Sequence, residues 1–438
     1  MTVLIAGAGI AGLTLALSLE RIGVPVRVFE SVREIKPLGV GINLQPHAVR
    51  ELDELGLMEG LDGIGLRTAE VAYFSSRGQP IWSEPRGRNA GYSWPQVSIH
   101  RGKLQMLLLE TVRARLGAQA VRCDAAVTGW RDLGDGVEID LADRDGKALG
   151  SERGAIFVAA DGIHSSARAA LYPDEGPPVW GGIVMWRGVT RGPRFLTGRS
   201  MAMSGCKPRK FVCYPIEDIT LEDGRPGSVI NWIADLRLPP DYLWRREDWN
   251  RPGDPADFLP RFADWHFDWL DIPAVIRAAE SIFEYPMVDR DPLPRWTHGA
   301  MTLLGDAAHP MYPIGSNGAS QAILDARVLT REILAHGTTP AALAAYEAER
   351  RPATARIVLA NRADGPDKIL DIVEARAPDG FARIEDVLSR EELTETASGY
   401  KRLAGFDVDA LNRRASLVPP GARRADDGAE GGKDAAAR

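Results

Sequence analysis

The chain opens on a short apolar run, a helix-length stretch with apolar residues on one side, and a second apolar run. "VLIAGAG" predicts a short buried strand, "IAGLTLALSLERIG" an amphipathic helix, and "VRVFE" a second strand. Strand, helix and strand in that order predict a parallel pair with a right-handed crossover. "LQPHAVRELDELGL" reads as a helix closed by Gly56. The period then shortens to two in "AEVAYFSS" and "QPIWSE", which predict strands. "SIHRGKLQMLLLETVRARLG" predicts a long amphipathic helix ending at Gly117, and "AVRCDAAVTGWRDL" and "DGVEIDLADRDG" predict strands joined by turns. "GAIFVAADGIHSSARAAL" is again strand, loop and helix. Alternation returns in "GGIVMWRGVT", "RKFVCYPI" and "SVINWIADL"; "AMTLLGDAAH" is a strand that runs into a glycine loop; and "PAALAAYEAERRPATARIVLANRA" is a strong helix.

These segments sort into two interleaved units. Residues 1–72, 98–171 and 287–340 carry the strand–loop–helix rhythm and predict one discontinuous Rossmann-like domain. Residues 73–97 and 172–286 predict a mixed or antiparallel β-sheet domain inserted into it, and 341–416 a C-terminal helical region. The fold class is therefore α/β. Residues 417–438 lack apolar content and are expected to be disordered.

Composition narrows the function classes. With 438 residues the chain exceeds a single simple core. Its net charge of -7 gives no electrostatic reason for nucleic acid or an anionic membrane as partner. No apolar run approaches the ~18 residues of a membrane span. The N-terminus enters its first strand without a basic region, so a cytoplasmic protein is expected. Cys123, Cys206 and Cys213 show no metal or disulfide spacing, the seven histidines form no ligand pair, and no metal is expected. The oligomeric state is not legible.

Three glycine-bearing turns carry the candidate chemistry. "GAGIAG" places Gly7, Gly9 and Gly12 in GxGxxG spacing between a strand and a helix. The first glycine permits a tight turn, the second lets backbone approach a pyrophosphate, and the third lets helix and strand pack closely. Glu30 ends the next strand, about twenty residues on, where a ribose hydroxyl needs an acceptor. An acid there disfavours a 2′-phosphate, so FAD or NAD suits this site better than NADP. "ADGIHSSAR" follows a strand, and its Asp161 is either a ligand-facing acid or a helix cap. "GDAAHPMYPIGSNGASQAILDA" places Asp306 after a third strand and Gly315 and Gly318 just before a helix. A dinucleotide has one pyrophosphate, so a second positive helix end must serve another group. The N1–C2=O edge of a reduced flavin is such a group, stabilised there by about 0.3–2 kcal/mol. Asp306 would then take a ribityl or ribose hydroxyl.

In this order and spacing the three motifs, from about Thr2 to Leu359, resemble those of the single-component FAD-dependent aromatic hydroxylases, the p-hydroxybenzoate hydroxylase-like flavoprotein monooxygenases. The resemblance implies bound FAD, transient NADH or NADPH, dioxygen and a small aromatic substrate. It implies that a flavin C4a-hydroperoxide hydroxylates the ring, with no side chain certain to be catalytic. "GDAAH" resembles the family's motif at the FAD ribityl region, and "ADGIHSSAR" the one that touches both FAD and the nicotinamide. "PLGVGIN", "WSEPRG", "SIHRG", "MWRGVT", "YPMVDRDPLP" and "YPIGSNGASQAILD" are closest to the family's phenazine-hydroxylating members. Decarboxylative hydroxylation of a phenazine-like carboxylate is one implied reaction; a simple phenolic acid is an alternative substrate. The likeness also places Arg101 and Gln105 at the flavin and offers the Val127 backbone to the adenine, although Gln105 also reads as a solvated helix position. The family's loop commonly ends Gly-x-Gly-x-Asn, whereas this one reads "GSNGASQ", so no asparagine role passes to Ser320 or Gln321.

The substrate pocket is expected among Met185, Arg187, Tyr214, Asn231, Trp232, Pro313 and Ile314. Alternation puts Met185 and Arg187 on one face and Trp186 on the other. Arg187 either clamps a carboxylate bidentately or pairs with an acid in the core. Trp82, Trp94, Trp180, Trp186, Trp232, Trp244, Trp249, Trp265 and Trp269 crowd the inserted sheet, for ligand stacking or for ordinary packing. A flavin halogenase would need a Trp-x-Trp-x-Ile-Pro stretch, which is absent. A flavin oxidase or reductase without oxygen insertion stays open, as does a non-catalytic flavin-binding protein.

Overall fold

The computed structural model describes residues 2–244, 251–363 and 365–424; Trp249 and the tail from residue 425 lie outside them. A six-stranded sheet runs in the order Thr297–His298, Met301–Leu303, Ile156–Ala159, Val3–Ala6, Val26–Phe29, Val121–Arg122. All its pairs are parallel except the hairpin at the Thr297 edge. Val3, Leu4 and Ile5 are fully buried, as a parallel strand covered on both faces requires. The register pairs Ala6 with Ala159, and Ala159 with Leu303. Three separated segments therefore end at one sheet edge, and the three glycine turns leave from it together.

The second sheet has seven strands, in the order Ser281–Asp289, Val179–Pro193, Pro226–Arg237, Arg209–Thr220, Ser200–Cys206, Glu70–Phe74, Pro80–Pro85. Only Ser200–Cys206 and Glu70–Phe74 pair in parallel. The back face packs Trp186, Phe211, Trp232, Phe258, Phe262 and Trp265 into an aromatic core. The front face carries Val71, Tyr73, Met201, Met203, Val212 and Tyr214, roofed by Ile369, Leu370 and Val373 of the helix Lys368–Arg376. The change of sheet comes at Ala69 rather than at residue 73, and Ser281–Asp289 stays in the large sheet past residue 287.

A small sheet, Gly41–Leu44, Gln96–His100 and Gly65–Thr68, bridges the two. It corrects the long helix expected from Ser98. Gln96–His100 is a strand because Val97 and Ile99 bury at period two, and the helix begins at Arg101. His100 caps it, its Nδ1 accepting from the Gly102 N–H at 3.1 Å.

The chain's last described segment returns to the parallel-sheet body. The Arg50 guanidinium donates to the Leu411 carbonyl at 3.1 Å, and Phe406 stacks on His47 with ring centroids 5.2 Å apart. Burial, with Arg414 and Arg350 nearby, lowers the His47 pKa to about 3, so that ring stays neutral.

One buried network locks the third turn in place. The Asp325 carboxylate accepts from the Gly305 N–H at 3.2 Å, from His309 Nε2 at 2.5 Å and from Arg350 Nε at 2.7 Å. Burial pushes the Asp325 pKa up, but His309 and Arg350 together outweigh it and hold the carboxyl below its usual range. Asp325→Ala leaves a buried guanidinium without its counterion. The expected loss is about 3–5 kcal/mol, read as a lower midpoint in denaturant unfolding. Because the folded pKa is depressed, the carboxylate's contribution is complete above about pH 4 and falls away as the pH drops through the folded value.

Candidate active site

At the first turn Gly7 has φ +96°, and a Cβ there would lie 2.4 Å from the Ala160 carbonyl oxygen. A Cβ on Gly12 would lie 2.1 Å from the Gly7 carbonyl oxygen, so both positions demand glycine for close approach. Gly9 differs: a Cβ there would meet nothing within 4 Å, so its backbone borders an open groove. The helix Ile10–Arg21 starts there without a side-chain cap, leaving N–H groups and the positive dipole end facing that groove. Glu30 and Gln105 grip the Ala8 peptide from either side. Glu30 Oε2 accepts from the Ala8 N–H, and Gln105 Nε2 donates to the Ala8 carbonyl, each at 2.8 Å.

At the second turn both readings of the acid meet. Ser165 caps the helix Ser166–Leu171, and Asp161 Oδ2 accepts from the Ser166 N–H at 2.9 Å. Asp161 Oδ1 is buried and has no hydrogen-bond partner. Ser166 Oγ donates to the Val127 carbonyl at 3.3 Å, which brings that strand to the same edge. Arg168, missed by the sequence reading as a tie, is buried and donates to the carbonyls of Ala307 and Ala308 at 3.2 and 2.9 Å and to Asp291 O at 3.0 Å. Glu175 neutralises it. Arg168 thus fastens the second turn to the third.

At the third turn Asp306 stands accessible in the groove, with no hydrogen-bond partner among the described residues. Desolvation by the surrounding protein raises its pKa, against the pull of His309 and Arg101. Gly315 (φ +70°) and Ser316 (φ +55°) follow one another in the left-handed region. A strained serine there costs about 1–3 kcal/mol and is typical of ligand-holding turns. The helix Gly318–His336 then starts without a side-chain cap, and a Cβ on Gly318 would meet nothing within 4 Å. Gln45 braces this turn: its N–H donates to Ser320 Oγ at 3.1 Å and its Nε2 to the Gly315 carbonyl at 3.3 Å.

The pocket candidates divide. Met185 packs with Tyr312 and Ile314. Asn231 Oδ1 accepts from the Gly41 N–H at 2.6 Å, and Arg187 NH2 donates to the Gly41 carbonyl at 2.8 Å. A side chain at Gly41 would sit 2.7 Å from the Asn231 Cβ, so this contact needs glycine. Tyr214 joins the group through a hydrogen bond with Arg187, and burial raises its pKa to about 12. Arg187 Nε is buried without a partner, and NH2 spends one of its two hydrogens on the Gly41 carbonyl. Trp232 is not with them. It points to the back face, bonds Thr190 Oγ1 through Nε1 at 3.0 Å and stacks on Phe211. Alternation along Pro226–Arg237 puts Asn231 and Trp232 on opposite faces. Trp186 and Trp265 are likewise part of that aromatic core rather than a ligand platform. Pro313 is exposed.

Two cavities flank the segment Tyr312–Ser316. One is lined by Tyr73, Met201, Met203, Gln45 and Gly315; the other by Ile183, Lys210, Met287, Tyr312 and Ile314. Of these, Gln45, Tyr73 and Lys210 carried no sequence signal, because their partners lie far along the chain.

The groove suits FAD on the chain's own features. It has an open backbone cradle at Gly9, two uncapped helix starts, and an accessible acid between them without a partner. Comparison with known proteins agrees. The family described as "FAD binding domain" matches residues 1–179 and 285–361. A phenazine 1,6-dicarboxylic acid hydroxylase of Lysobacter antibioticus is 47% identical over 363 residues, 82% of this chain and 89% of that protein. An aurachin C monooxygenase/isomerase of Stigmatella aurantiaca is 33% identical over 80% of this chain and 85% of that one. The fold superposes on Klebsiella pneumoniae HpxO complexed with FAD and uric acid with TM-score 0.71 and 23% identity, covering 94% of this chain and 96% of that chain. No helix among the described residues is long and apolar enough to cross a membrane. Three turns at one sheet edge, the FAD-binding family match and nearly half-identical sequence place the chain in the FAD-dependent aromatic hydroxylases, as a flavoprotein monooxygenase that uses FAD.

Proposed function

We propose that the chain hydroxylates an aromatic or N-heteroaromatic carboxylate of the phenazine type, with NADH or NADPH as reductant and dioxygen as the source of the inserted atom. The observation that carries this reading is the 47% identity to a phenazine dicarboxylate hydroxylase over 82% of the chain, together with cavities beside the Gly315 turn. With the expected bounds at residues 73 and 287 moved to about residues 69 and 290, the segments around the parallel sheet serve as the FAD-binding domain, the large sheet as the substrate domain, and 341–416 as a helical roof. An NAD(P)H-dependent reaction suits the cytoplasm.

Each part of the chain has a physical task. Gly7, Gly9 and Gly12 would bring the first helix start against the pyrophosphate, and Glu30 would take a ribose hydroxyl. Asp161 and the Val127 backbone border the same edge, while Gln105 holds the Ala8 peptide in register and Arg101 faces Asp306. Asp306 would accept a ribityl hydroxyl. The uncapped start of Gly318–His336 and the Gly315 turn would hold the redox-active ring, the helix dipole favouring its negative edge. Bound FAD supplies the redox chemistry, taking reducing equivalents from NAD(P)H and activating dioxygen for transfer of one oxygen atom. The large sheet and its roof exclude water and hold the substrate ring, with Met185, Tyr214, Asn231, Pro313 and Ile314 as lining candidates. Arg187 orients Tyr214 and the Gly41 strand, keeping Nε for one further hydrogen bond. Loss of the carboxylate as carbon dioxide would accompany attack at the carbon that bears it.

A substrate panel scored by ¹⁸O₂ incorporation and NAD(P)H consumption tests the reading. One labelled oxygen in the product is expected; NAD(P)H oxidation that yields only hydrogen peroxide would make the chain an oxidase. Asp306→Ala is expected to weaken FAD binding about tenfold, the size of one lost hydrogen bond to a charged group, measured by equilibrium titration of the apoprotein. Arg187→Ala is expected to raise KM for an aromatic acid and for its amide by similar factors, because its contacts are to Gly41 and Tyr214. A loss confined to the acid would restore the clamp.

A further inference from the structure

The cavity beside Gly315 and Ser316 has two unlike ends. Val71, Met201 and Met203 give it an apolar end. At its other end stand Glu84, Arg86 and Lys401. Glu84 is bonded to Arg86 at 2.6 Å and to Lys401 at 2.8 Å, and the three side chains are only 9%, 14% and 19% exposed. Two cations share one carboxylate, so among the described residues this desolvated corner holds one surplus positive charge. Such a charge is costly unless an anion pairs with it. Asp367, which acts on Tyr73 beside this corner, is bonded to Lys210, and Asp407, which acts on Tyr92, caps the Ala410 N–H.

A second observation points to a ligand at the same place. Gln45 and Gln96 line this cavity, are 5% and 2% exposed, and each has an Oε1 without a hydrogen-bond partner. Their amide nitrogens are occupied, by the Gly315 carbonyl and by Asn43 Oδ1. A buried acceptor without a partner is equally costly, and a hydroxyl or N–H on a bound ring would satisfy it.

We propose that Arg86 and Lys401, held together by Glu84, form the carboxylate-binding end of the substrate cavity. Lys401 lies on the helix Arg390–Leu403, beyond the segment shared with the FAD-binding family, so the C-terminal region sets the preference for an anionic substrate. This deepens the hydroxylase reading and rests on it for the identity of the aromatic acid.

The test uses FAD-loaded full-length protein and calorimetric binding, without turnover. The ligands are phenazine 1,6-dicarboxylate and 3-hydroxybenzoate, each against its amide. Wild type is expected to bind at least one acid more tightly than its amide. Lys401→Met and Arg86→Met each weaken that acid at least tenfold and change the amide by less than twofold, with FAD content unchanged. Lys401→Arg recovers acid binding to within threefold and guards against a folding artefact in the methionine variants. Equal losses for acid and amide, no loss, or a wild type without acid preference would overturn the subsite. Wild type that shows the preference but forms no ¹⁸O-labelled product would overturn the hydroxylase reading and leave the subsite standing.

Discussion

The Asp325 carboxylate is the constraint on which the site depends. It sits in the helix Gly318–His336, yet it bonds the Gly305 N–H, 20 residues back at the end of the last parallel strand. That bond fixes the helix start relative to the strand end, and Asp306 and the Gly315 turn lie between those two points. A buried carboxylate with three partners tolerates little displacement, because each partner it loses is left unsatisfied in low dielectric. Arg350 carries the constraint onward to Gln321, and Gln321 to His47 and the Ala404 carbonyl. The parallel sheet, the third turn and the C-terminal segment are therefore set by one connected polar network.

Arg168 plays the corresponding part between the second and third turns. Its guanidinium spends its donors on Glu175 and on carbonyls of the third turn, so the two loops cannot separate without stranding a buried charge. The first turn needs no such tie, since the Gly7 and Gly12 contacts bring backbone against backbone. Charge pairing and close packing thus do the same job at different turns. The two glycine loops are not duplicates: Gly9 opens a cradle beside one helix start, and Gly315 and Ser316 turn the chain in front of another.

Much of the cofactor groove was legible because its signals are local. A GxGxxG between a strand and a helix, an acid after a strand, and glycines ahead of a helix are each read within about ten residues. The strand register then brings them to one edge, as parallel pairing must. Trp232 was misplaced for an opposite reason. Composition suggested a ring for stacking, but which face a strand residue takes depends on what covers each face, and Phe211 and Phe258 cover that one. The helix expected from Ser98 failed likewise: its first residues are claimed by strand partners from Gly41–Leu44 and Gly65–Thr68, which no local pattern announces.

The sequence by itself determined the cofactor class and the order of strands and turns along the parallel sheet, because glycine spacing and strand-end acids act through backbone geometry over short distances. Tertiary structure alone decided the substrate end. Glu84, Arg86 and Lys401 are ordinary charged residues until the fold brings positions more than three hundred residues apart to within hydrogen-bonding distance. Burial then turns their charge imbalance into a binding preference, and burial is a property of the packed whole rather than of any stretch of chain.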